Sequence, residues 1–418
     1  MNKKITITQF AGLKDPNNIK EYEKSGGWVG LKNALKQTPQ SVIDTVKKSG
    51  LRGRGGAGFP TGIKWESLGP DNPKYLVCNA DEGEPGTFKD RFIMERCPFL
   101  LIEGMVIAAY AAGINKGYIY IRGEYPEVTA GMLKALDTAR KAGYLGENIG
   151  DTNLDFDIEI KVGGGSYVVG DETALLSSLM GNRGYPLLKP PYPTQQGLWN
   201  KPTIINNVET LSYAPVILAE GADEFAKVGP STSPGPKLFC VSGHVENPGV
   251  YEFPMGTKLS DILSAAGGMK GTYKAVQIGG TAGVILDERA LDYHLDYDSM
   301  KEAGASLGSG ALVFMNSATG MTHVLEVVAR FFSEESCGQC FPCRYGTRQL
   351  ELMAENIASG MGKLEYLPLI QDTVNTMYGG SFCPFGQSVT LPVSSVLKYF
   401  GDEIVSSIKQ HQYLREVI

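Results

Sequence analysis

The chain has 418 residues, of which 42% are hydrophobic and 20% charged, with a formal net charge of −6. That length allows about three domains of roughly 150 residues each, the composition is that of an ordinary globular protein, and the acidic balance excludes a broad nucleic-acid surface. No apolar run approaches the length of a membrane span, so any membrane association must come through partners.

The N-terminus, Met1 to Thr8, reads as a strand and carries no signal-peptide core. Residues up to about Pro39 are polar and partly helical. Ser41 to Ser49 spaces its apolar residues like a short helix. Gly50 to Trp65 then interleaves six glycines with Arg52, Arg54, Phe59 and Lys64. Glycines let a flat or phosphorylated ligand approach the backbone closely, so this stretch reads as a nucleotide cradle with Phe59 as a stacking surface. A mobile glycine linker is the bland alternative, but linkers rarely mix Arg, Phe and Lys into their glycines. Gly53, Gly55 and Gly58 match G-x-G-x-x-G, a weak signal here because a helix precedes it where the dinucleotide fingerprint needs a strand.

Tyr75–Cys78 reads as a buried strand running into Asn79-Ala-Asp-Glu-Gly-Glu-Pro-Gly86, a loop placed where open α/β sheets bind ligands. Pro98–Ala112 reads as a helix stopped by Gly113. Tyr118–Ile121 is the next strand, and Pro126–Ala142 the next helix, closed by Gly143. Phe156, Ile158, Ile160 and Val162 alternate with polar residues as a half-buried strand. This β-α-β-α-β order predicts a doubly wound, Rossmann-like α/β layer. A second glycine cluster, Gly163–Gly170, leads into Asp171 and Glu172 and a helix over Thr173–Met180. Acids in a first turn also cap helices, which is the plain reading of both. Tyr185–Pro193 is an extended proline-rich loop, and Asn206-Asn-Val-Glu-Thr210 precedes another helix.

Gly229–Pro236 reads as the clearest linker. Strands at Leu238–Val241, Val250–Phe253, Val276–Ile278 and Leu312–Met315, with a helix near Leu259–Ala266, predict a small β-grasp domain for packing or partner binding. From Glu326 onward the pattern is a helical bundle, interrupted by a cysteine loop and by Gly379-Gly380. The predicted domains are therefore 1–228, 237–325 and 326–418.

Seven cysteines, three of them close together, suggest a metal or cluster site in a reducing compartment. Cys337, Cys340 and Cys343 have C-x-x-C-x-x-C spacing, and Cys383, followed by Pro384, is the one cysteine downstream. That pattern fits a 4Fe–4S cluster, with structural zinc as its rival. Cys78, Cys97 and Cys240 lack paired spacing and read as buried apolar residues. His244, His294, His323 and His411 are isolated, so a His-based zinc site has no support.

Four stretches together carry a resemblance: the glycine loop at 50–65, Asn-Ala-Asp-Glu-Gly-Glu-Pro-Gly-Thr at 79–87, Gly-Asp-Glu-Thr-Ala-Leu at 170–175 with Lys-Pro-Pro-Tyr-Pro at 189–193, and Glu-Ser-Cys-Gly-Gln-Cys-Phe-Pro-Cys-Arg at 335–344. The chain resembles the NADH-binding flavoprotein subunit of respiratory complex I and the related subunits of NAD-linked hydrogenases and formate dehydrogenases. The resemblance covers nearly the whole chain. It implies a Rossmann-like domain for FMN and NADH, a ubiquitin-like domain, and a helical bundle with one 4Fe–4S cluster. It implies that Gly53, Arg54, Gly55, Lys64, Asn79, Asp81, Tyr167, Gly170, Asp171, Asn206 and Asn207 line FMN, with Ala57 and Gly58 completing the cofactor loop. Gly56, Phe59, Glu82, Glu84, Glu172, Lys189 and Tyr192 would contact NADH, and Cys337, Cys340, Cys343 and Cys383 would hold the cluster.

Asp171 stands where many relatives have Glu, Tyr192 where many have Phe, and Ser67 where some have a second aromatic. These departures predict a less fully stacked adenine. The implied partners are a thioredoxin-like 2Fe–2S subunit and further iron–sulfur subunits, on the cytoplasmic side of a membrane reached only through them. No extra ferredoxin-like domain is present, which favours the complex I type.

The expected activity is NADH oxidation through FMN to a 4Fe–4S cluster and on toward quinone. No protein acid or base is needed for the hydride, so none of these residues is assigned as catalytic. The acids serve as acceptors for ribose hydroxyls and the nicotinamide amide, and Glu172 is expected to reject the 2′-phosphate of NADP. A second reading reverses the flow, as the diaphorase subunit of a hydrogenase or formate dehydrogenase. A third, non-enzymatic reading is a zinc-containing assembly scaffold.

Overall fold

The computed structural model describes residues 6–417. Its first layer is a four-stranded parallel sheet: β1 (Tyr75–Ala80), β2 (Lys116–Ile121), β3 (Asp157–Val162) and β4 (Thr203–Asn207), in the order β3-β2-β1-β4. The first three strands lie where the apolar patterns put them. β4 was not anticipated: its five residues Thr-Ile-Ile-Asn-Asn are too short to show a period. Its placement matters, because the chain crosses from one side of β1 to the other. That crossover opens a crevice at the carboxyl ends of β1 and β4, where such sheets bind ligands.

The Pro98–Ala112 helix is apolar on every side and almost wholly buried, as a helix in the middle of a large core must be. It ends at Gly113 with φ 67°, a left-handed cap. At Gly104 a Cβ would lie 2.1 Å from the Leu211 carbonyl oxygen, so glycine there lets the Val208–Glu220 helix press against it.

The strand expected at the N-terminus is not formed in its described part. Ile7 opens a helix, Ile7–Ala11, capped by Thr6. The Glu252 carboxylate accepts the Ile7 and Thr8 N–H groups at 3.2 and 2.9 Å, which commits those donors to a helix start. The rest of that expectation, residues 1–5, lies outside the described residues.

The expected linker is a packed strap. Ser233 is fully buried, and the Arg54 guanidinium donates to the Pro234 carbonyl oxygen at 2.7 Å. Beyond it lies a second, mixed sheet: β5 (Pro236–Gly243), β6 (Gly249–Pro254), β7 (Tyr273–Ile278), β8 (Val284–Leu286) and β9 (Ala311–Asn316), in the order β6-β5-β9-β7-β8. β5 and β9 are parallel and the other pairs antiparallel. The Leu259–Ala265 helix buries Leu259 and Ile262 in the same core.

The chain continues as helices Met321–Glu334, Phe341–Ala358, Tyr366–Gly380, Pro384–Ser388 and Thr390–Val417. They share a core that includes Leu325, Phe332, Leu350, Val374 and Val393. Gly379-Gly380 does not interrupt the third of these; the helix runs through both and ends at Ser381. Among the described residues no helix is long and apolar enough to cross a membrane.

Candidate functional site

Two adjoining clefts, of about 420 and 460 Å³, open at the carboxyl ends of β1 and β4. Both are lined by Gly55, Ala57, Asn79, Gly170, Asp171, Asn207 and Pro384, so they form one continuous groove. The loop 50–62 is fixed in place rather than free. Arg52 Nε donates to the Gly58 carbonyl oxygen at 2.8 Å, and Tyr297 Oη donates to that of Gly53 at 2.6 Å. Gly55 is required by space: a Cβ there would stand 3.0 Å from that of Asn207. Gly58 has φ +65°.

The first cleft collects Gly56, Asp81, Glu82, Glu84 and Tyr167. Glu82 is buried and accepts the Asp90 and Arg91 N–H groups at 2.7 and 2.9 Å. It caps the Lys89–Arg96 helix, which has no side-chain cap of its own. Burial, then the neighbouring Asp90, pushes its carboxyl up to about 8. Glu84 accepts from Tyr167 Oη and from the Ala282 N–H at 3.0 Å. Burial raises its pKa, against the help of those donors. Asp81 Oδ2 is a buried atom with no hydrogen-bond partner among the described residues, and burial lifts its carboxyl to about 7 although Arg122 opposes it. An orphaned acceptor in the cleft wall fits a bound polar ligand.

The second cleft collects Gly53, Gly58, Phe59, Lys64, Glu172, Lys189, Tyr192 and Asn206. Phe59 and Tyr192 are 50% and 53% exposed, two apolar faces open to a planar ring. Ser67 lines the same cleft and spends its hydroxyl on the Lys64 carbonyl oxygen. Glu172 lies 2.5 Å from Lys64 Nζ and 3.1 Å from Lys189 Nζ. Burial works against its charge, but the two lysines outweigh it and hold the carboxyl below the usual range. Asn206 Oδ1 accepts from Trp65 Nε1 at 2.9 Å. Asp171 caps the Glu172–Leu179 helix, accepting the Thr173 and Ala174 N–H groups, while Glu172 does not.

Arg54 is the expected residue that turns away. Its guanidinium is fully buried behind the loop, against Pro234. A buried charge network lies beneath the groove instead. Lys89 Nζ lies 2.8 Å from Asp90 and 3.0 Å from Glu209, and Lys237 Nζ lies 3.3 Å from Glu209. Burial drives Lys237 down to about 8, whereas Asp90, Glu209 and Glu82 overcome burial and raise Lys89.

Sequence reasoning missed several contributors. Lys89 and Asp90 line the first cleft; they sit just after the acidic loop, which was the available signal. Gly279, Ala282, Gly283, Ser306 and Gly308 of the second sheet's loops also line it, with no local signal at all.

Cys337, Cys340, Cys343 and Cys383 come from the loop before the Phe341–Ala358 helix, its first turn, and the residue before Pro384. All seven cysteines are free thiols, and Cys78, Cys97 and Cys240 are buried. Burial, then repulsion from the sulfurs of Cys340, Cys383 and Cys337 against the help of Ser336, lifts Cys343 to about 12. The Phe385 and Gly386 N–H groups bond Cys383. Gly386 permits this convergence, because a Cβ there would lie 3.0 Å from that of Cys343. Among the described residues no three His, Cys, Asp or Glu side chains could hold a single metal ion. A cubane spreads its thiolates over separate irons and so needs a wider cage. Cys383 itself lines the first cleft.

The comparisons agree with this layout. Residues 46–215 match the Nuo51 FMN-binding domain, 323–407 the NADH-ubiquinone oxidoreductase-F iron–sulfur binding region, and 238–283 the SLBB domain. The second F-type subunit of NADH-quinone oxidoreductase from Rhizobium meliloti (strain 1021) is 43% identical, over 96% of this chain and 96% of that protein. The HndC subunit of the NADP-reducing hydrogenase of Solidesulfovibrio fructosivorans is also 43% identical, over 95% of this chain and 82% of that one. The crystal structure of an NAD+-reducing [NiFe]-hydrogenase in the H2-reduced state superposes with a TM-score of 0.83 at 35% identity, covering 97% of this chain and 67% of that one. A Rossmann-like FMN-binding domain joined to a C-terminal 4Fe–4S region, at this identity over nearly the full length, shows that the chain belongs to the family of NADH-quinone oxidoreductase F-type subunits.

Proposed function

We propose that this chain oxidises NADH at the groove and delivers the electrons singly, through its iron–sulfur region, to clusters on partner subunits. One observation carries the reading: Cys383 stands in the wall of the cleft that the glycine loop and Asn79 also line. A group bound in that cleft is therefore next to a thiolate ligand. An FMN held there would supply the chemistry that couples hydride acceptance from NADH to one-electron release.

The protein's own contribution is placement. Gly53, Gly55 and Gly58 let flat or phosphorylated ligands approach the backbone closely, the Gly53 N–H itself being spent on the Phe59 carbonyl oxygen, and Lys64 and Lys189 offer positive charge. Asn79, Asp81, Asn206 and Asn207 offer polar partners around FMN. Tyr167, Gly170 and Asp171 form its far wall. Phe59 and Tyr192 offer exposed faces for a partly stacked adenine, and Gly56, Glu82, Glu84 and Glu172 line the clefts that would take the rest of NADH. Cys337, Cys340, Cys343 and Cys383 hold the cluster. The units are 1–228, 237–325 and 326–418; the strand order β6-β5-β9-β7-β8 with its one helix supports a β-grasp unit in the middle, and the shared core of the last helices supports a bundle.

Quinone is the acceptor this reading favours, with a thioredoxin-like 2Fe–2S subunit and further iron–sulfur subunits as partners. The likeness to the NAD+-reducing hydrogenase supports a second reading, in which the same groove reduces NAD with electrons from hydrogen.

The test is reconstitution of the full chain with FMN, iron and sulfide. The expected product holds about four irons per chain and bleaches with NADH, while Cys383→Ser keeps flavin and loses iron. A colourless chain that leaves NADH unoxidised would sink the proposal.

A further inference from the structure

Glu335 has no part in the groove described so far, yet it reaches it. Its Oε2 accepts the Tyr167 N–H at 2.9 Å, across 168 positions of sequence. Tyr167 opens the short turn Tyr167–Gly170, and Ser166 before it supplies no side-chain cap. The first N–H of such a turn has no partner of its own, and Glu335 provides one from a different part of the fold. Glu335 also precedes Cys337 by two positions.

The contact does not stand alone. The Tyr167 ring lies 5.1 Å from that of Phe331, on the helix leading into the cysteine loop, and 5.7 Å from that of Phe385, two residues after Cys383. Its hydroxyl donates to Glu84. Val168, Gly170 and Asp171, which follow directly, line the first cleft. One residue thus touches the cysteine segments through its ring, the acidic loop through its hydroxyl, and the cysteine loop through its N–H.

We infer that Glu335 is a positioning residue: it ties the groove wall at Tyr167–Asp171 to the cysteine loop and so sets the separation between flavin and cluster. This rests on the function proposed above. The bond needs an acceptor oxygen, not a charge, because the donor is a neutral amide. Single-electron transfer falls steeply with distance, whereas hydride transfer happens on the NADH side of the flavin. Loosening the tether therefore acts on the second step.

Glu335→Ala and Glu335→Gln in the reconstituted full chain test this. The readouts are flavin bleaching by NADH, the later reduction of the cluster in stopped flow, iron content, and amide hydrogen exchange over 166–170. Glu335→Ala is expected to bleach within about twofold of the parent, to slow cluster reduction about tenfold, and to speed exchange over 166–170 about tenfold, the size expected for losing one hydrogen bond. Glu335→Gln keeps a carbonyl acceptor and should restore all three. Unchanged exchange in Glu335→Ala would overturn the inference, even if iron were lost, because Glu335 would then only build the cysteine loop. A Gln variant as impaired as Ala would overturn it by making charge the cause. If the parent chain were not bleached by NADH, the functional reading would fail, while the exchange result would still report on the tether.

Discussion

Glu172 shares its carboxylate between Lys64 and Lys189. Two cations beside one acid leave the cluster net positive, which suits a diphosphate, and the proposed function sets the acid against the ribose. A 2′-phosphate would bring two like charges against it, and repulsion in a half-buried cleft is costly. Glu172→Ala should raise the NADPH-to-NADH ratio of kcat/KM by about tenfold or more, about 1.4 kcal/mol; steady-state kinetics with both nucleotides decide it, and an unchanged ratio would remove Glu172 from specificity. At this scale much was legible. The Gly-rich stretch and the C-x-x-C-x-x-C run point to a nucleotide cradle and a metal or cluster site by residue type and spacing, while the acidic loop takes its role from the family resemblance. The partners were not legible. Glu82 serves a helix N-terminus at Asp90, eight residues on, and Arg54 turns into the core toward Pro234, 180 positions away; neither pairing has a local pattern.

Between elements, Glu209 joins the two sheets. It stands in the first turn of the Val208–Glu220 helix after β4, faces Lys89 and Lys237, and accepts the Leu238 N–H of β5 at 2.8 Å. Burial opposes its charge, but Lys237, Lys89 and Arg54 keep it ionised. Removing one member of a buried ionic cluster strands the others without compensation. Glu209→Ala should therefore cost about 3–5 kcal/mol, seen as a lower thermal midpoint in scanning calorimetry; a midpoint within a degree or so of the parent would show that the lysines find other partners. The Pro126–Lys141 helix and β3 were readable because burial on one side imposes a period, and the Pro98–Ala112 helix, β1 and β2 because they are near-continuous apolar runs bounded by polar or glycine residues. β4 and β8 were not, since five and three residues hold less than one informative repeat.

For the whole molecule, pH acts through the acids packed into the groove. Asp81 and Glu82 titrate near 7 and 8 when folded, against about 4 when unfolded. A raised folded value means stability that is full below about pH 4 and is lost as pH rises through 7 to 8. Glu172 and Glu209 are lowered, so their contribution is present above about pH 4 and fades only in more acid solution. The flavin-free chain should thus lose stability from pH 5 to 8, and Asp81→Asn should flatten that slope. Thermal midpoints across this range measure it; an unaltered slope would mean that solvent reaches Asp81 freely.

Sequence alone pointed to the glycine cradle, the four-cysteine pattern and the parallel layer, because glycine, cysteine and apolar periodicity act over a few residues; FMN and NADH were implied by the family resemblance of four stretches taken together. Only the tertiary structure decided how the groove is closed, by loops 279–283 and 306–309 of the second sheet and by Cys383 in its wall, and that Glu335 holds the Tyr167 N–H behind it. Those contacts join residues far apart along the chain, and their positions depend on how whole elements pack.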